Sequence, residues 1–432
     1  MAEDDPSAVR GAQKRDRERS DSSGKSQRRK SKGNASRNAS RPPGQKRENP
    51  PHKRAKSTAG DVRQRTVEKR AAPSSTPDMG PAQNPFVRTP HHRQAYAALD
   101  LGTNNCRLLI ARPEGKDFTV IDAFSRVVRL GEGLTLNGNL SDEAMERTLA
   151  ALHVCAAKLR RRRVHLARSV ATEACRRAGN GPAFIERVRK ETGIVLDIIS
   201  AREEARLAVL GCHVLLEHGD GPAMIFDIGG GSTELVLVET GGTIPTILDW
   251  QSVPWGVVSL TEEIGPEPEG GKQARLDRYD KMRATVTEAF AEFSERIAPS
   301  RRASRFGEGG LRLLGTSGTV TTLASLHLEL PQYDRRAVDG LIMPSQGMRD
   351  IASRLSALSP QERGQVPCIG HDRAELVVAG CAILETILDL WPAERLGVAD
   401  RGIREGILRS MMAAGMEGDR ARAELAAKQG AS

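Results

Sequence analysis

Two turns in the sequence combine an aspartate with glycine and hydroxyl side chains, each directly after an apolar segment. They are the first turn, residues 100–105 (D-L-G-T-N-N), and the second turn, residues 227–234 (D-I-G-G-G-S-T-E). Backbone N–H groups in such a turn lack a strand partner and can bind an anionic phosphate. Three consecutive glycines weaken a strand end, so they favour close approach of a ligand to the backbone. The predicted phosphate-binding residues here are Gly102, Thr103, Asn104, Asn105, Gly229, Gly230, Gly231, Ser232 and Thr233.

Carboxylates in these two turns suit a divalent cation. If Asp100 and Asp227 face each other across a cleft, they can hold Mg²⁺, or Mn²⁺, beside the phosphates and partly through water. The alternative interpretation is that each aspartate caps its own turn. The six cysteines contain no C-x-x-C pair, which argues against a zinc site or a disulfide framework.

A general base for water attack is predicted at the start of a helix that opens with Ser200. Ser200 and Glu203 have the spacing of a capping box, in which the Glu203 carboxylate would bind the Ser200 backbone N–H. Glu204 lies about 100° further round the helix and would be free to face a cleft. We therefore predict Glu204 as the general base, although a glutamate in a first helical turn usually serves only helix electrostatics.

The third turn, residues 315–319 (G-T-S-G-T), follows an apolar segment and precedes a predicted helix. We add Gly315, Ser317 and Gly318 to the predicted phosphate-binding residues. Guanidinium groups match phosphate oxygens with paired hydrogen bonds, so arginines near the turns are further ligands to consider. The arginines in or next to predicted turns are Arg107, Arg176, Arg373 and Arg404. We predict Arg107 and Arg176 as phosphate ligands and favour Arg176, the alternative for each being an ordinary salt-bridge arginine.

The segments that carry these turns predict a duplicated α/β fold. From Tyr96 the chain reads as three antiparallel strands, a helix capped by Ser141, a strand, a helix and a further strand. After a break at residues 219–222 the pattern begins again, and long helices, including residues 372–390, follow. The expected divisions are a first lobe over residues 95–222, a second lobe over residues 223–415 and a frayed C-terminus over residues 416–432.

Charge is unevenly distributed along the chain. Residues 1–94 carry 23 Lys and Arg against 10 Asp and Glu, a net charge of +13 within a chain total of +10. That segment has too little apolar surface to fold, so we predict a disordered basic tail. The tail could bind a polyanion or nucleic acid, or act only as a solvated linker. No segment is apolar enough for a secretory signal or a bilayer span, so we expect a cytoplasmic protein without membrane contact.

Taken in this order, the motifs resemble those of the exopolyphosphatase and guanosine pentaphosphate phosphohydrolase family. The matching pieces between Tyr96 and Met412 are D-L-G-T-N-N-C-R (100–107), R-L-G-E-G-L (129–134), A-T-E-A-C-R (171–176), I-I-S-A-R-E-E-A-R-L (198–207), D-I-G-G-G-S-T-E-L (227–235), G-T-S-G-T (315–319) and G-I-R-E-G (402–406). The resemblance implies an α/β, two-lobed actin-like (ribonuclease H-like) duplicated fold with the active-site cleft between the lobes, and a homodimer. It also implies Glu204 as the catalytic glutamate and Arg176 as a phosphate ligand. Its metal-site or phosphate-site acids fall on Asp100, Asp227 and Glu234.

The activity that the resemblance implies is metal-dependent hydrolysis of inorganic polyphosphate or guanosine pentaphosphate, with release of the terminal phosphate. Larger members of the family carry extra C-terminal helical domains associated with long-chain processivity, and we expect this protein to lack them because few residues follow Met412. Two alternatives stay open. An actin-like ATPase or sugar kinase would use the same turns, whereas a sensor would bind guanosine tetraphosphate or polyphosphate without hydrolysing it.

Overall fold

The computed structural model describes residues 94–415, apart from Lys116, Asp220, Thr243 and residues 304–310. For residues 300–303 only the backbone is described. The predicted basic tail, except for Gln94, and the predicted frayed C-terminus lie outside the described residues. Within the described chain, no helix is both long enough and apolar enough to cross a membrane.

The first of two sheets is built from the segments around the first turn. Its strands are β1 (Tyr96–Leu101), β2 (Asn105–Glu114), β3 (Asp117–Val127), β4 (Leu166–Ala171) and β5 (Leu196–Ile198). They lie in the order β3-β2-β1-β4-β5, with β1 antiparallel to β2 and parallel to β4. β1 is almost wholly buried, because residues on both of its faces pack into hydrophobic clusters, and it is apolar except at Asp100. The predicted antiparallel start is confirmed.

Four helices accompany this sheet. They are α1 (Leu134–Asn137), α2 (Asp142–Arg161), α3 (Glu173–Arg177) and α4 (Gly181–Thr192). The Ser141 hydroxyl accepts a hydrogen bond from the Ala144 N–H at 3.2 Å, which confirms the predicted cap of α2. α2 buries Leu149 and Leu152 in the core of this lobe and ends in basic residues, which suit a helix C-terminus.

The second sheet repeats the arrangement of the first. Its strands are β6 (Pro222–Ile228), β7 (Thr233–Glu239), β8 (Thr246–Val253), β9 (Arg312–Thr316), β10 (Ile342–Pro344) and β11 (Arg395–Ala399). β6 pairs antiparallel with β7 and parallel with β9, as β1 pairs with β2 and β4. The order is β10-β11-β9-β6-β7-β8. Asp100 and Asp227 therefore stand near the ends of equivalent strands, and the predicted duplication is confirmed.

The helices that follow β5 range from 4 residues in α9 to 33 in α7. They are α5 (Ala201–Cys212), α6 (Val257–Ile264), α7 (Gly271–Ala303), α8 (Gly318–His327), α9 (Arg335–Val338), α10 (Ser345–Ala357), α11 (Pro360–Gln365), α12 (Leu376–Leu390) and α13 (residues 403–415). The predicted helix over residues 372–390 begins later, at Leu376. A short 3-10 turn, His371–Arg373, precedes it, because Gly370 turns the backbone with φ of 70°.

α5 and α13 join the two lobes. Leu207 of α5 packs in a cluster with residues of the first sheet, whereas Val209 packs with residues of the second sheet. The two helices lie very close, because a Cβ placed on Gly211 would be 2.0 Å from the Gly402 carbonyl oxygen. A Cβ on Gly406 would be equally close to the Leu207 carbonyl oxygen. Backbone contact at these two glycines therefore fixes the crossing between the lobes.

Replacement of Gly211 with alanine should destabilise the protein. Alanine is the better helix former by about 1 kcal/mol, but the clash is with backbone, which cannot move aside as a flexible side chain can. We expect the free energy of unfolding to fall by about 1–3 kcal/mol in denaturant titrations. Gly242→Ala is the control, because a Cβ there has its nearest contact at 3.4 Å. Equal stability of Gly211→Ala and the unmodified protein would contradict the close crossing.

Candidate active site

A cavity of about 140 Å³ lies where the first, second and third turns meet. The first and second turns touch across it, since a Cβ on Gly230 would be 3.0 Å from the Thr103 Cβ and 3.2 Å from the Asn104 nitrogen. Most of the residues predicted from the sequence line this cavity. They are Asp100, Gly102, Thr103, Asn104, Asn105, Arg107, Glu204, Asp227, Gly229, Gly230, Gly231, Ser232, Glu234, Ser317 and Gly318.

The carbonyl groups of the second turn point away from the cavity. The Gly229 carbonyl accepts from the Val257 N–H at 3.0 Å, and the Gly230 carbonyl from the Val258 N–H at 2.7 Å. The Ser259 hydroxyl donates to the Gly231 carbonyl at 3.0 Å. Because the C=O and N–H of a trans peptide point in opposite directions, the N–H groups that follow these carbonyls face the cavity. The start of α6 thus orients the second turn, whose N–H groups suit the predicted binding of an anion.

The first turn is oriented in the same way. The Thr103 carbonyl accepts from the Gly131 N–H at 2.9 Å, and the Asn104 carbonyl accepts from the N–H groups of Val128 and Arg129. The next N–H groups along the turn consequently face the cavity. Three buried oxygens of this strand and turn have no hydrogen-bond partner among the described residues: Asp100 Oδ1, Thr103 Oγ1 and Asn104 Oδ1. Buried polar atoms of this kind are normally satisfied, so a bound ligand is the natural partner.

Glu204 and Glu203 have different surroundings. Glu204 is 7% exposed, lines the cavity, and accepts from two nitrogens of Arg176 at 3.1 Å and 3.2 Å. Burial, followed by the negative charge of Glu234, raises the pKa of Glu204 well above its ordinary value, against the opposing effect of Arg176. A carboxylate with a raised pKa is suited to accept a proton near neutral pH.

Only half of the predicted capping box is present at Ser200. The Ser200 hydroxyl accepts from the Glu203 N–H at 3.2 Å, as predicted. The predicted hydrogen bond from the Ser200 N–H to the Glu203 carboxylate is wrong. That carboxylate instead accepts from Arg206 at 2.7 Å and from Arg168 at 2.9 Å. Arg206 is the main cause of a lowered pKa for Glu203. Charged guanidinium donors are stronger than a neutral backbone N–H, so they take the carboxylate.

The sequence profile of the Ppx/GppA phosphatase family matches residues 109–414. The chain belongs to this family. It is 29% identical to Exopolyphosphatase 2 of Mycobacterium tuberculosis over 332 residues, which cover 73% of this chain and 98% of that protein. The crystal structure of the Aquifex aeolicus family member matches with a TM-score of 0.60 at 27% identity, over 74% of this chain and 98% of the other.

An exopolyphosphatase structure from Cytophaga hutchinsonii matches with a TM-score of 0.64 at 24% identity, over 74% of this chain and 98% of the other. At that identity the likeness shows the fold alone. The two-lobed, actin-like α/β fold expected from the motifs is confirmed.

Three predicted phosphate ligands of this Ppx/GppA family chain, all of them described, lie outside the cavity lining. Arg176 bonds to the Glu173 and Glu204 carboxylates and donates to the Ile199 carbonyl at 2.8 Å. Thr233 donates to the Trp255 carbonyl at 2.7 Å. Gly315 lies in β9, where a Cβ would be 2.6 Å from the Phe226 ring. Their contacts are structural here, and their phosphate roles stay predictions.

Other residues that line the cavity were not predicted from the sequence. Thr172 and Glu173 lie within the A-T-E-A-C-R motif, which could have drawn attention to them, whereas no quoted motif contains Val257, Leu376 or Val377. Arg373, named only as an arginine near a turn, lines the cavity as well. The apolar part of the lining comes from Ile228, Val257, Leu376, Val377 and Ile403.

The three predicted metal-site acids lie around one side of the cavity. Burial raises the pKa of Asp100, raises that of Asp227 to about 6, and raises that of Glu234 to about 7. Arg107 stands directly opposite Asp100 on the neighbouring strand, and its positive charge counters the shifts of both aspartates. Glu234 Oε1 is held by the hydroxyl groups of Ser232 at 2.7 Å and Ser252 at 2.9 Å.

These residues fit a magnesium ion that completes its coordination with water and phosphate. The described residues contain no group of three or more His, Cys, Asp or Glu arranged as a complete metal cage. Mg²⁺ usually binds through one or two carboxylates together with waters and substrate phosphates. The unpartnered Oδ1 of Asp100 and the raised pKa values of the neighbouring acids are what such an ion would relieve.

The titration of Glu234 should make stability fall as pH rises. In the folded protein its pKa is about 7 instead of 4.5, so between these values the folded state keeps a proton that the unfolded chain releases. Stability from this group is complete below the lower value and is lost as pH rises through the upper one. In Glu234→Gln the side chain stays neutral, so the variant should gain on the order of 2 kcal/mol over the unmodified protein between about pH 5 and pH 8.

Denaturant titrations across that range, with chelator present, measure the difference. Glu263→Gln, at an exposed position of α6, is the control. A constant difference between the Glu234→Gln variant and the unmodified protein would refute the raised pKa.

Proposed function

We propose that this protein is a metal-dependent hydrolase that releases the terminal phosphate from inorganic polyphosphate, guanosine pentaphosphate, or both. The observation that carries the proposal is the position of Glu204, a buried carboxylate with a raised pKa that lines a cavity between two anion-binding turns. The resemblance to a protein named Exopolyphosphatase 2 supports polyphosphate as a substrate. The apolar wall beside the third turn supports a substrate with a nucleoside, since polyphosphate has no apolar part.

The terminal phosphate binds between the first and second turns, where N–H groups from both converge. Glu204 removes a proton from a water molecule, and the water oxygen attacks the terminal phosphorus. The bond from phosphorus to the bridging oxygen breaks, and the electron pair leaves with the shortened chain. Arg176 holds the Glu204 carboxylate in place through two hydrogen bonds. Glu173 and the Ile199 carbonyl in turn hold Arg176, so that the base is rigidly oriented.

Asp100 and Asp227 would hold the cation, with Glu234 as a third acid fixed by its two serine partners. When bound, the ion neutralises charge on the phosphate oxygens and on the leaving group. Arg107 beside the two aspartates limits the repulsion between them before substrate arrives. Cytoplasmic location, a homodimer and polyanion binding by residues 1–94 stay predictions.

Replacement of Glu204 with glutamine should abolish turnover while substrate still binds. The amide keeps the size of the side chain and an acceptor for Arg176, but it cannot take a proton from water. We expect the rate of phosphate release to fall by about 10²- to 10⁴-fold. The assay compares short polyphosphate, long polyphosphate, guanosine pentaphosphate and ATP at matched concentrations with Mg²⁺.

Glu203→Gln is the matched control, because it removes the neighbouring carboxylate, which is held by Arg168 and Arg206 away from the cavity lining. Its turnover should stay within about twofold of the unmodified protein, with a loss of stability of about 0.5–1 kcal/mol. Full activity of Glu204→Gln would refute the assignment of the base. Tight binding without turnover in the unmodified protein would instead indicate a sensor, and preference for ATP would indicate an ATPase or kinase.

Removal of divalent cations should stop phosphate release, and added Mg²⁺ or Mn²⁺ should restore it. Asp227→Asn removes one predicted ligand charge, so we expect half-maximal activity to need about tenfold to hundredfold more Mg²⁺. Asp197→Asn, at an exposed position of β5, should leave the Mg²⁺ titration unchanged. Activity that survives a chelator would contradict the metal requirement.

A further inference from the structure

The first turn is supported by one continuous segment of the first lobe. We name residues 128–135 the strap. Its Val128 and Arg129 N–H groups donate to the Asn104 carbonyl, and its Gly131 N–H donates to the Thr103 carbonyl, at distances from 2.9 to 3.0 Å. The contact is tight, because a Cβ on Gly131 would be 2.3 Å from the Thr103 side chain. The strap therefore sets the position and the orientation of the first turn.

The second turn is supported from the other lobe by α6. The first residues of this helix bind the turn carbonyls, and the Ser259 hydroxyl bonds to the Gly231 carbonyl. A Cβ on Gly256, directly before the helix, would be 2.5 Å from the Gly230 carbonyl group. α6 therefore sets the position of the second turn, as the strap sets that of the first turn.

Glu262, in the last turn of α6, connects the two supports. Its Oε1 accepts from the Gly133 N–H at 2.7 Å, and its Oε2 accepts from the Thr135 N–H at 3.4 Å. Both donors belong to the strap, and the side chain is half-buried. One carboxylate from the second lobe thus bonds to the backbone of the first lobe beside both phosphate-binding turns.

A second contact between the strap and the second lobe is an ion pair, and it is weaker. Arg129 of the strap and Asp372 lie 3.3 Å apart, but their side chains are 44% and 76% exposed. Solvent screening leaves such a pair with little energy. A carboxylate that accepts backbone N–H groups in a half-buried position is held more strongly, because the hydrogen bonds are charge-assisted. Of these two contacts, Glu262 is the one able to hold the lobes together.

We propose that Glu262 is a positioning residue that keeps the first and second turns at the spacing needed to enclose a phosphate. Without it, the lobes open about the crossing of α5 and α13, and the closed form becomes a minor population. Substrate must then supply the closing energy, so apparent affinity falls in proportion to the closed fraction. Saturating substrate restores the closed form, so the maximal rate hardly changes. The prediction about turnover rests on the proposed hydrolase function.

The test compares Glu262→Ala and Glu262→Gln with the matched controls Glu263→Ala and Glu263→Gln. Glu263 is the next residue of α6 and is exposed, and its side chain makes no hydrogen bond or ion pair within the described part of the chain. With tripolyphosphate and Mg²⁺, Glu262→Ala should raise KM by about tenfold and change kcat by less than about twofold. Glu262→Gln keeps one uncharged acceptor, so its KM should lie between those of Glu262→Ala and the unmodified protein. Both controls should have the KM of the unmodified protein.

A second measurement does not depend on turnover. Hydrogen exchange of a peptide that covers residues 131–137 reports the Gly133 and Thr135 N–H groups directly. Without ligand, these amides should exchange faster in Glu262→Ala than in the Glu263→Ala control. Addition of tripolyphosphate should slow their exchange in Glu262→Ala again. These results would support the proposal even if the unmodified protein hydrolyses none of the proposed substrates.

Two results would overturn the proposal. The first is unchanged exchange of residues 131–137 in Glu262→Ala, which would mean that the carboxylate does not hold the strap. The second is faster exchange with KM unchanged, or with only kcat and thermal stability lowered, which would mean a structural contact without influence on the cleft. If the unmodified protein is inactive but the amides of residues 131–137 exchange as expected, the result counts against the hydrolase function and not against the role of Glu262.

Discussion

The burial of four carboxylates in one cavity is the constraint on which the arrangement of this protein depends. Asp100, Asp227, Glu204 and Glu234 line one cavity, and burial together with neighbouring negative charge raises the pKa of each. Charges taken out of water are unfavourable unless they are paired or hydrogen-bonded. Arg107 and Arg176 supply part of the compensation, and two hydroxyl groups hold Glu234. The negative charge that stays uncompensated is what a bound cation would balance.

The duplicated fold brings these acids together without placing them on one flexible loop. Each aspartate lies near the end of a central strand with neighbours on both sides, so its position is fixed by the sheet. Each adjacent turn has its carbonyls bound by a different support, the strap in one lobe and α6 in the other. Only the crossing of α5 with α13 and the contacts at the cleft then determine how far apart the two halves of the site lie. Each half of the site is thus held within its own lobe.

Local chemistry made much of this structure predictable from the sequence. The Ser141 cap, the glycine turns after apolar strands, and the repeated strand order depend on residues close in sequence, and all of them are observed. Contacts between distant segments were missed. Arg168 in β4 approaches Glu203 and takes its carboxylate from the predicted capping box, and Arg176 is bound by Glu173 and Glu204, two carboxylates that line the cavity. α6 could not be linked to the second turn, because the sequence does not show which carbonyl groups its first N–H groups meet.

The pair Glu203 and Glu204 shows how surroundings, more than residue type, decide the chemistry of a carboxylate. Two identical side chains follow each other in one helix, yet guanidinium donors lower the pKa of Glu203 whereas burial raises that of Glu204. A carboxylate stabilised as an anion is a poor proton acceptor, so Glu203 is chemically quiet even though it is the more accessible of the two. Glu204 keeps a single arginine, enough to orient it but too little to cancel the effect of burial. Because that arginine is itself held by Glu173 and the Ile199 carbonyl, the charge on Glu204 is balanced by a partner with a fixed position. The same contacts therefore make Arg176 an effective support for the Glu204 carboxylate.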